Sequence, residues 1–506
     1  MVLGTASHVG KSVLTAALCR ILKQDGYDVA PFKAQNMALN SAATPEGFEI
    51  GRAQAMQAEA AGVPASVDMN PILLKPQGDA RSQLVVLGRV AGEVGAHEYH
   101  RRRVRALFET VRASYERLAA GHDVVVLEGA GSPSEVNLAK TDIVNMRMAR
   151  AANAACLLVA DIDRGGVFAS LVGTLTLMPA PDRKRVRGFL VNRFRGDPRL
   201  FDPGVGFLER RLRRPCLGVV PYLRDLGIDE EDSVALEPSR RAGVRWPREA
   251  GAGRRLRVAV LAFPFLSNFT DFDPLVAEPS VTLAFARTPA EIAQADVVIL
   301  PGTKQTLDDL AWLRKTGLAA ALLARSAAKR AVIGICGGMQ MLGREISDPE
   351  AMEGGGRRAG LGLLPIRTAL NRNKVTVRVQ GRVPRGRLFG RRVPESSFQG
   401  YEIHLGTTIY DGGAHPFLRV QREHSPRHSD DGATDTDGYV IGTYMHGFFD
   451  TDAFRHTMLR ALRASVGLSP LTARSHYTSE REQRFDRLAA HVRRAIDVPQ
   501  IESWLR

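Results

Sequence analysis

An apolar run, Ala331-Val332-Ile333, continues through Gly334-Ile335 into Cys336 and then Gly337-Gly338-Met339-Gln340, with a helix-like segment through Glu345. A buried strand that meets a helix at a cysteine flanked by glycines predicts a nucleophile elbow, a turn whose sharpness only small neighbours permit. The helix N-terminus behind the sulfur favours thiolate over thiol. Backbone N–H groups at such a turn can stabilise an oxyanion. Taken alone, Cys336 reads equally well as a buried structural cysteine beside a Gly-rich turn. Apolar strands alternate with helical segments along the rest of the chain, which predicts an α/β protein.

Two further segments bear on the cysteine. Thr443-Tyr444-Met445-His446-Gly447 follows the strand-like Tyr439-Val440-Ile441-Gly442, and a histidine at a strand end suits a Cys–His pair assembled by the fold. Val297-Val298-Ile299-Leu300 ends in Pro301-Gly302-Thr303-Lys304, whose N–H groups are placed to complete an oxyanion hole. Together the three pieces resemble a class I glutamine amidotransferase domain. The resemblance implies that Cys336 attacks the glutamine amide, that His446 shuttles the proton, and that Gly302 and Gly337 mark the oxyanion loops. Such domains usually carry a Glu two residues after the His, where this chain has Phe448, so the group that orients His446 is left open.

Near the start, Gly4-Thr5-Ala6-Ser7-His8-Val9-Gly10-Lys11-Ser12 reads as a phosphate-binding loop that opens a helix running to about Lys23. Backbone N–H groups in such a loop cradle phosphate, Lys11 reaches the β/γ oxygens, and the Ser12 hydroxyl can ligate Mg²⁺. Thr5 stands at the first glycine position of the usual pattern, a variant that resembles dethiobiotin synthetase and its relatives. The ATP-binding candidates are therefore Thr5, Gly10, Lys11, Ser12 and Asn192, the last at the end of the apolar strand Gly188–Val191, where related folds use an Asn on adenine. Asp123–Leu127 ends in Glu128, a second candidate for Mg²⁺ with Ser12. Cys156–Ala160 ends in Asp161-Ile162-Asp163, and either acid suits the same region. Each acid is also a good helix cap or turn residue. Ligands of parallel α/β sheets bind at C-terminal strand ends, and the recurrence there favours function.

Phe32-Lys33-Ala34-Gln35-Asn36-Met37-Ala38-Leu39-Asn40-Ser41, Met69–Pro76, Glu128–Leu138, Asp161–Phe168, Ser267–Leu275 and Gly400–His404 form a longer series. In order and over nearly the whole chain, the series resembles the cobyric acid synthase family, glutamine-hydrolysing enzymes of the late corrin pathway. His8, where an Asp or Asn is usual, and Arg357-Arg358 are minor departures. The resemblance implies amidation of the b, d, e and g carboxylates of adenosylcobyrinic acid a,c-diamide, with ATP, Mg²⁺ and glutamine. It implies an acyl phosphate, because oxide is a poor leaving group and phosphate a good one. Ammonia is mostly ammonium at neutral pH, so an internal ammonia path is expected. For the polyanionic corrin, Lys33, Lys75, Arg81 and Arg164 are candidate cations, and Gln35, Asn36 and Asn40 are candidate amide readers. Asp142 either positions the reacting carboxyl or Mg²⁺ or caps a helix, and Asp161 joins the substrate candidates.

The predicted fold is a P-loop NTPase-like, dethiobiotin synthetase-like parallel-sheet domain at 1–237, a linker at 238–255, a class I glutamine amidotransferase α/β domain at 256–450, and C-terminal helices within 451–506. Gly354–Gly362 and Glu423–Gly438 read as exposed loops. A length of 506 residues and a hydrophobic fraction of 44% suit several packed cores, and no apolar run approaches the ~20 residues of a membrane span. The loop starting at Gly4 leads us to expect no cleaved leader. The opening strand Met1-Val2-Leu3 is short, so either the true start lies upstream or the strand is clipped. Cys19, Cys156, Cys216 and Cys336 form no C-x-x-C pair, which points to a reducing cytoplasm. The net charge of +15 invites a nucleic-acid reading, but the excess arginine falls in connectors and tails, aromatics are 6%, and no binding motif accompanies it.

Cobyrinic acid a,c-diamide synthase shares both domains, but Gln35–Asn40 and Glu128–Pro133 favour the cobyric acid synthase family. Partitioning-type ATPases carry a second lysine early in the loop, where this chain has Ala6. A glutaminase-like regulator with a dead nucleotide site is disfavoured by Lys11, Ser12 and Glu128.

Overall fold

The protein is described from a computed structural model, which covers the chain apart from residues 78–80, 96–98, 100–103, 224–243, 245, 248, 250, 252, 472 and 506. The chain forms two compact units. Unit 1 comprises Met1–Ala38, Ile50–Glu231 and Arg481–Arg506; unit 2 comprises Leu39–Glu49 and Asp232–Glu480. Most of the expected linker lies outside the described residues.

Unit 1 is built on parallel strands. Val2–Gly4 pairs with Cys156–Asp161, which pairs with Val186–Phe194, which pairs with Cys216–Pro221. On the other side, Val29–Phe32 pairs with Val124–Leu127, and a parallel bridge from Val2 to Glu128 joins this pair to the rest. The strands read as continuous apolar runs because both faces are covered. One cover is the helix Lys11–Gln24, which buries Leu14, Leu18, Ile21 and Leu22. In the same core sit Phe485, Leu488, Ala489 and Val492, spaced to line one side of the helix Tyr477–Arg493. The expected C-terminal segment 451–506 is therefore not a separate piece. Its helix Asp452–Ser465 buries Phe454, Met458 and Leu462 in the core of unit 2, whereas Arg481–Arg506 belongs to unit 1.

Unit 2 has a mainly parallel sheet in the order Val281–Ala286, Leu256–Leu261, Val297–Leu300, Val332–Ile335, Val440–Thr443, Ala433–Thr434. A second sheet is formed around the long antiparallel strands Ile366–Val383 and Ser396–Tyr410. The two segments expected to be loops supply part of it. Gly356–Ala359 pairs with Glu345–Asp348, and His428–Asp431 pairs with Leu418–Arg422. Their mostly polar side chains hide the strand signal, because pairing there uses backbone groups and buries little apolar surface.

The fully buried Arg455 donates to Glu278 Oε1 (2.7 Å), to the Phe449 carbonyl (2.7 Å) and to Asp452 Oδ1 (2.6 Å), pinning the chain that follows His446. Glu278 also lies 2.9 Å from His456 Nε2. Removing one partner of such a network leaves a carboxylate buried without its countercharge. Arg455→Ala is expected to destabilise unit 2 by about 3–5 kcal/mol, visible as a lowered midpoint in thermal unfolding.

Candidate active sites

In unit 2 the parallel register brings three strand ends together. Leu300 pairs with Gly334, Ile335 pairs with Thr443, and the Cys336 N–H donates to the Thr443 carbonyl at 2.8 Å. Pro301-Gly302, Cys336 and His446 thus emerge at one edge of the sheet. Cys336 has φ 53° and ψ −114°, a left-handed, strained conformation at the start of the helix Gly337–Leu342. The turn works only because Gly338 has no side chain: a Cβ there would lie 2.1 Å from the Leu300 carbonyl oxygen. Gly337 sits against Thr303, and Gly302 sits beside the His446 ring, so the two segments expected to form the oxyanion hole lie next to each other. Thr303 is fixed by hydrogen bonds from its hydroxyl to the Phe265 carbonyl (3.1 Å) and to the Asp309 carboxylate.

The partner of the histidine is Asp271. Its Oδ2 lies 2.6 Å from His446 Nδ1, and its Oδ1 accepts from the Gly447 N–H at 3.0 Å. Both residues are buried, at 1% and 2% exposure. Burial by itself would lower the basicity of the ring. The Asp271 carboxylate, with the nearby Cys336, outweighs it and lifts the His446 pKa to about 10. Nε2 has no hydrogen-bond partner among the described residues, which leaves it for the sulfur and for a substrate nitrogen. The Tyr401 ring stacks on the imidazole with centroids 5.5 Å apart. Phe448, at the position of the usual glutamate, is fully buried against Phe398, Phe449 and Phe454. The orienting acid has thus moved to a distant loop. Its signal in the sequence was the Ser267–Leu275 motif, whose acid had no visible reason to face the histidine.

In unit 1 the loop before Lys11 wraps the strand end. Gly10 has φ 98°, and a Cβ on it would meet Asn192 Nδ2 at 2.3 Å. The Asn192 amide donates to the Val9 carbonyl at 2.8 Å, so this residue supports the loop. The Thr5 N–H donates to the Val159 carbonyl at 2.9 Å and continues the sheet, so this N–H is committed to the strand. Lys11 Nζ donates to the carbonyls of Ala6 (2.9 Å) and Gly131 (3.2 Å), across the space that phosphate oxygens would enter.

Glu128 is 1% exposed and gathers side-chain donors from three elements of this unit. Ser12 Oγ donates to its Oε1 at 2.8 Å, Lys33 Nζ to the same oxygen at 2.9 Å, and Gln57 Nε2 to its Oε2 at 2.6 Å. Lys33 is therefore not a free cation for corrin carboxylates. A carboxylate this deeply buried requires a countercharge, and Lys33 supplies it. Gln57 had no motif to announce it. No cluster of three or more His, Cys, Asp or Glu side chains able to hold a metal is present among the described residues. The Ser12–Glu128 pair instead offers hard oxygens in the small number that Mg²⁺ takes when phosphates and water complete its shell.

The remaining substrate candidates are mostly committed to the protein. Asp142 caps backbone, accepting from the N–H groups of Val144 (2.8 Å) and Asn145 (3.0 Å). Asp161 pairs with Arg193 at 2.9 Å. Asn36 donates to Gln54 at 3.0 Å, and Gln35 accepts from the Tyr99 hydroxyl. Lys75 is buried in the strand Ile72–Pro76, and Asn40 is buried in unit 2. Arg81 and Arg164 are the exposed cations among the candidates, and Arg81 lies 3.9 Å from Glu93. Polar residues without visible partners look available in a sequence, but burial obliges each to find a partner.

Residues 1–234 match the CobQ/CobB/MinD/ParA nucleotide binding domain, and residues 257–454 match the CobB/CobQ-like glutamine amidotransferase domain. The chain is 50% identical over 506 residues to a cobyric acid synthase of Syntrophobacter fumaroxidans, covering 99% of this chain and 97% of the relative. It is 48% identical to that of Sorangium cellulosum, covering 98% and 96%, and 47% identical to that of Moorella thermoacetica, covering 98% and 95%. The chain belongs to the cobyric acid synthase family.

Asp271→Asn keeps the shape of the loop but removes the charge that raises the His446 pKa. Glutamine turnover is expected to fall by about 10²–10⁴-fold. The ring then deprotonates at lower pH, so the alkaline limb of the kcat profile moves down from about 10.

Proposed function

We propose that this member of the cobyric acid synthase family converts the b, d, e and g carboxylates of adenosylcobyrinic acid a,c-diamide to amides, giving adenosylcobyric acid. The enzyme is an ATP-dependent, glutamine-hydrolysing amidotransferase of cobalamin biosynthesis, as its full-length relatives support. One observation carries the reading for this chain: a Cys336–His446–Asp271 triad between oxyanion loops is joined on one polypeptide to a phosphate loop that ends on Ser12 and Glu128.

In unit 2 the Cys336 sulfur, its proton already held on His446 Nε2, attacks the side-chain amide carbon of glutamine. N–H groups at Gly302 and Gly337 receive the negative charge that develops on the carbonyl oxygen. Asp271 stabilises the imidazolium through Nδ1 and holds Nε2 toward the leaving nitrogen. Collapse of the adduct breaks the C–N bond, and His446 delivers the proton that makes the departing group ammonia. Water, deprotonated by His446, then cleaves the thioester to glutamate and restores the thiol.

In unit 1 the substrate carboxylate displaces ADP at the γ-phosphorus of ATP, forming an acyl phosphate. Ammonia attacks the acyl carbon and phosphate leaves with the C–O electron pair. Lys11 and the loop N–H groups position the β and γ phosphates. Ser12 and Glu128 would hold Mg²⁺, which when bound offsets charge on the phosphates. Asn192 keeps the loop in shape, and Lys33 supplies the countercharge that holds Glu128 in place. The substrates are the small molecules ATP, glutamine and the corrinoid. No described helix is long and apolar enough to cross a membrane, and a free catalytic thiol suits the cytoplasm, where ATP and glutamine are abundant.

Incubation of adenosylcobyrinic acid a,c-diamide with the protein, Mg-ATP and glutamine, followed by mass spectrometry, is expected to show four successive amidations. Amidation of cobyrinic acid in its place moves the chain to the a,c-diamide enzymes. Cys336→Ala should end amidation from glutamine while leaving amidation from ammonium salts. Lys11→Ala should end both.

A further inference from the structure

Asp309 lies fully buried in the helix Thr306–Lys315 and is no member of the triad. Its two oxygens hold two different segments. Oδ1 accepts from the Phe265 N–H at 3.4 Å, and Oδ2 accepts from the Thr303 hydroxyl. The two segments are also laced to each other. Leu266 and Thr303 form an antiparallel bridge, the Ser267 N–H donates to the Gly302 carbonyl at 3.0 Å, and the Lys304 N–H donates to the Phe265 carbonyl at 3.0 Å. The Thr303 hydroxyl lies 3.1 Å from that same carbonyl and accepts from the Gln305 N–H at 3.1 Å.

Each segment leads into the glutaminase site. The first runs from Phe265 to Asn268, which at φ 52° opens the turn Phe269–Phe272. The Asn268 carbonyl accepts from the Asp271 N–H at 3.1 Å, and Asp271 holds His446. The second is the oxyanion segment. Thr303 N lies 3.4 Å from the point that a Cβ on Gly337 would take, and its N–H has no hydrogen-bond partner among the described residues. The Gly337 N–H opens the helix Gly337–Leu342 and is left over by its position there. Two unpaired N–H groups, one from each oxyanion segment, thus stand close together beside Cys336.

Burial pushes the Asp309 carboxyl up to about 7 against the bonds from Thr303 and Phe265, and its charged neighbours Glu353 and Asp308 repel it. An apolar side chain would serve packing better. What the carboxyl supplies is two acceptors in fixed directions, one for each segment.

We propose that Asp309 is a positioning residue for glutamine hydrolysis: through Thr303 and Phe265 it fixes the oxyanion segment and the turn that carries Asp271 in one geometry. This rests on the reading of unit 2 as a glutaminase. Oxyanion donors act on the tetrahedral adduct, so a displaced Thr303 N–H slows turnover and spares the binding of glutamine.

The test uses the full chain. It measures glutamate release beside alkylation of Cys336 by iodoacetamide, read on the Cys336 peptide by mass spectrometry. Alkylation displaces iodide at a saturated carbon, forms no oxyanion and reports the thiolate alone. Asp309→Asn offers one acceptor where the carboxylate offers two, and Thr303→Val deletes the hydroxyl at nearly constant shape. Each should lower kcat by about 10- to 100-fold, with KM for glutamine within about threefold and the alkylation rate within about twofold of wild type. Thr303→Ser restores the hydroxyl and should regain most of that loss. In Asp309→Asn/Thr303→Val the two losses should not multiply, because both variants break one contact. Losses that multiply overturn the proposal, as does an unchanged kcat in both single variants. Alkylation that falls in step with turnover also overturns it, because the whole site is then disturbed. If Asp309→Asn has no thermal transition and so has not folded, Thr303→Val against Thr303→Ser decides. Failure of the underlying reading looks different: glutamate release would then survive in Cys336→Ala.

Discussion

The hydrogen bond between Asp271 and His446 is the interaction on which unit 2 depends. It joins groups 175 residues apart, both nearly dry, at 2.6 Å. A buried imidazole would otherwise lose its proton to the cost of desolvation, and the carboxylate reverses that balance. The same carboxylate takes the Gly447 N–H, so one acid sets both the protonation of the ring and the course of the chain around it. With the acid supplied from the Asn268–Phe272 turn, the position after Gly447 is released to the core, and Phe448 fills it.

Unit 1 solves a similar problem with a different set of groups. Glu128 is buried deeply enough that it needs several donors, and Ser12, Lys33 and Gln57 provide them. Those donors come from the first turn of the helix Lys11–Gln24, from the end of the strand Val29–Phe32 and from the helix Arg52–Ala61, so packing this part of the unit and assembling its polar cluster are one event. Lys33 illustrates the consequence: a lysine that looked like a substrate contact is the countercharge that allows the acid to exist there.

The units are compact in space but not continuous in sequence. The hairpin Leu39–Glu49 lies within the first sequence region yet completes unit 2, and Arg481–Arg506 follows the amidotransferase region yet completes the core of unit 1. The helix periodicity of Phe485, Leu488 and Val492 announces a buried face. It carries no information on which core receives it, since any apolar surface serves.

The sequence by itself determined the chemistry whose residues are neighbours along the chain. The elbow at Cys336, the phosphate loop through Lys11 and Ser12, and the strand ends at His446 and Glu128 are legible because each couples a local backbone requirement to a reactive side chain. Only the tertiary structure decided who holds whom. Asp271 reaches His446, Gln57 reaches Glu128, Asn192 turns to its own loop, and Ser41 reaches Asn268. These pairings depend on which strands lie side by side and on which polar groups burial leaves in need of a partner. Both are properties of the folded packing, and no local pattern encodes them.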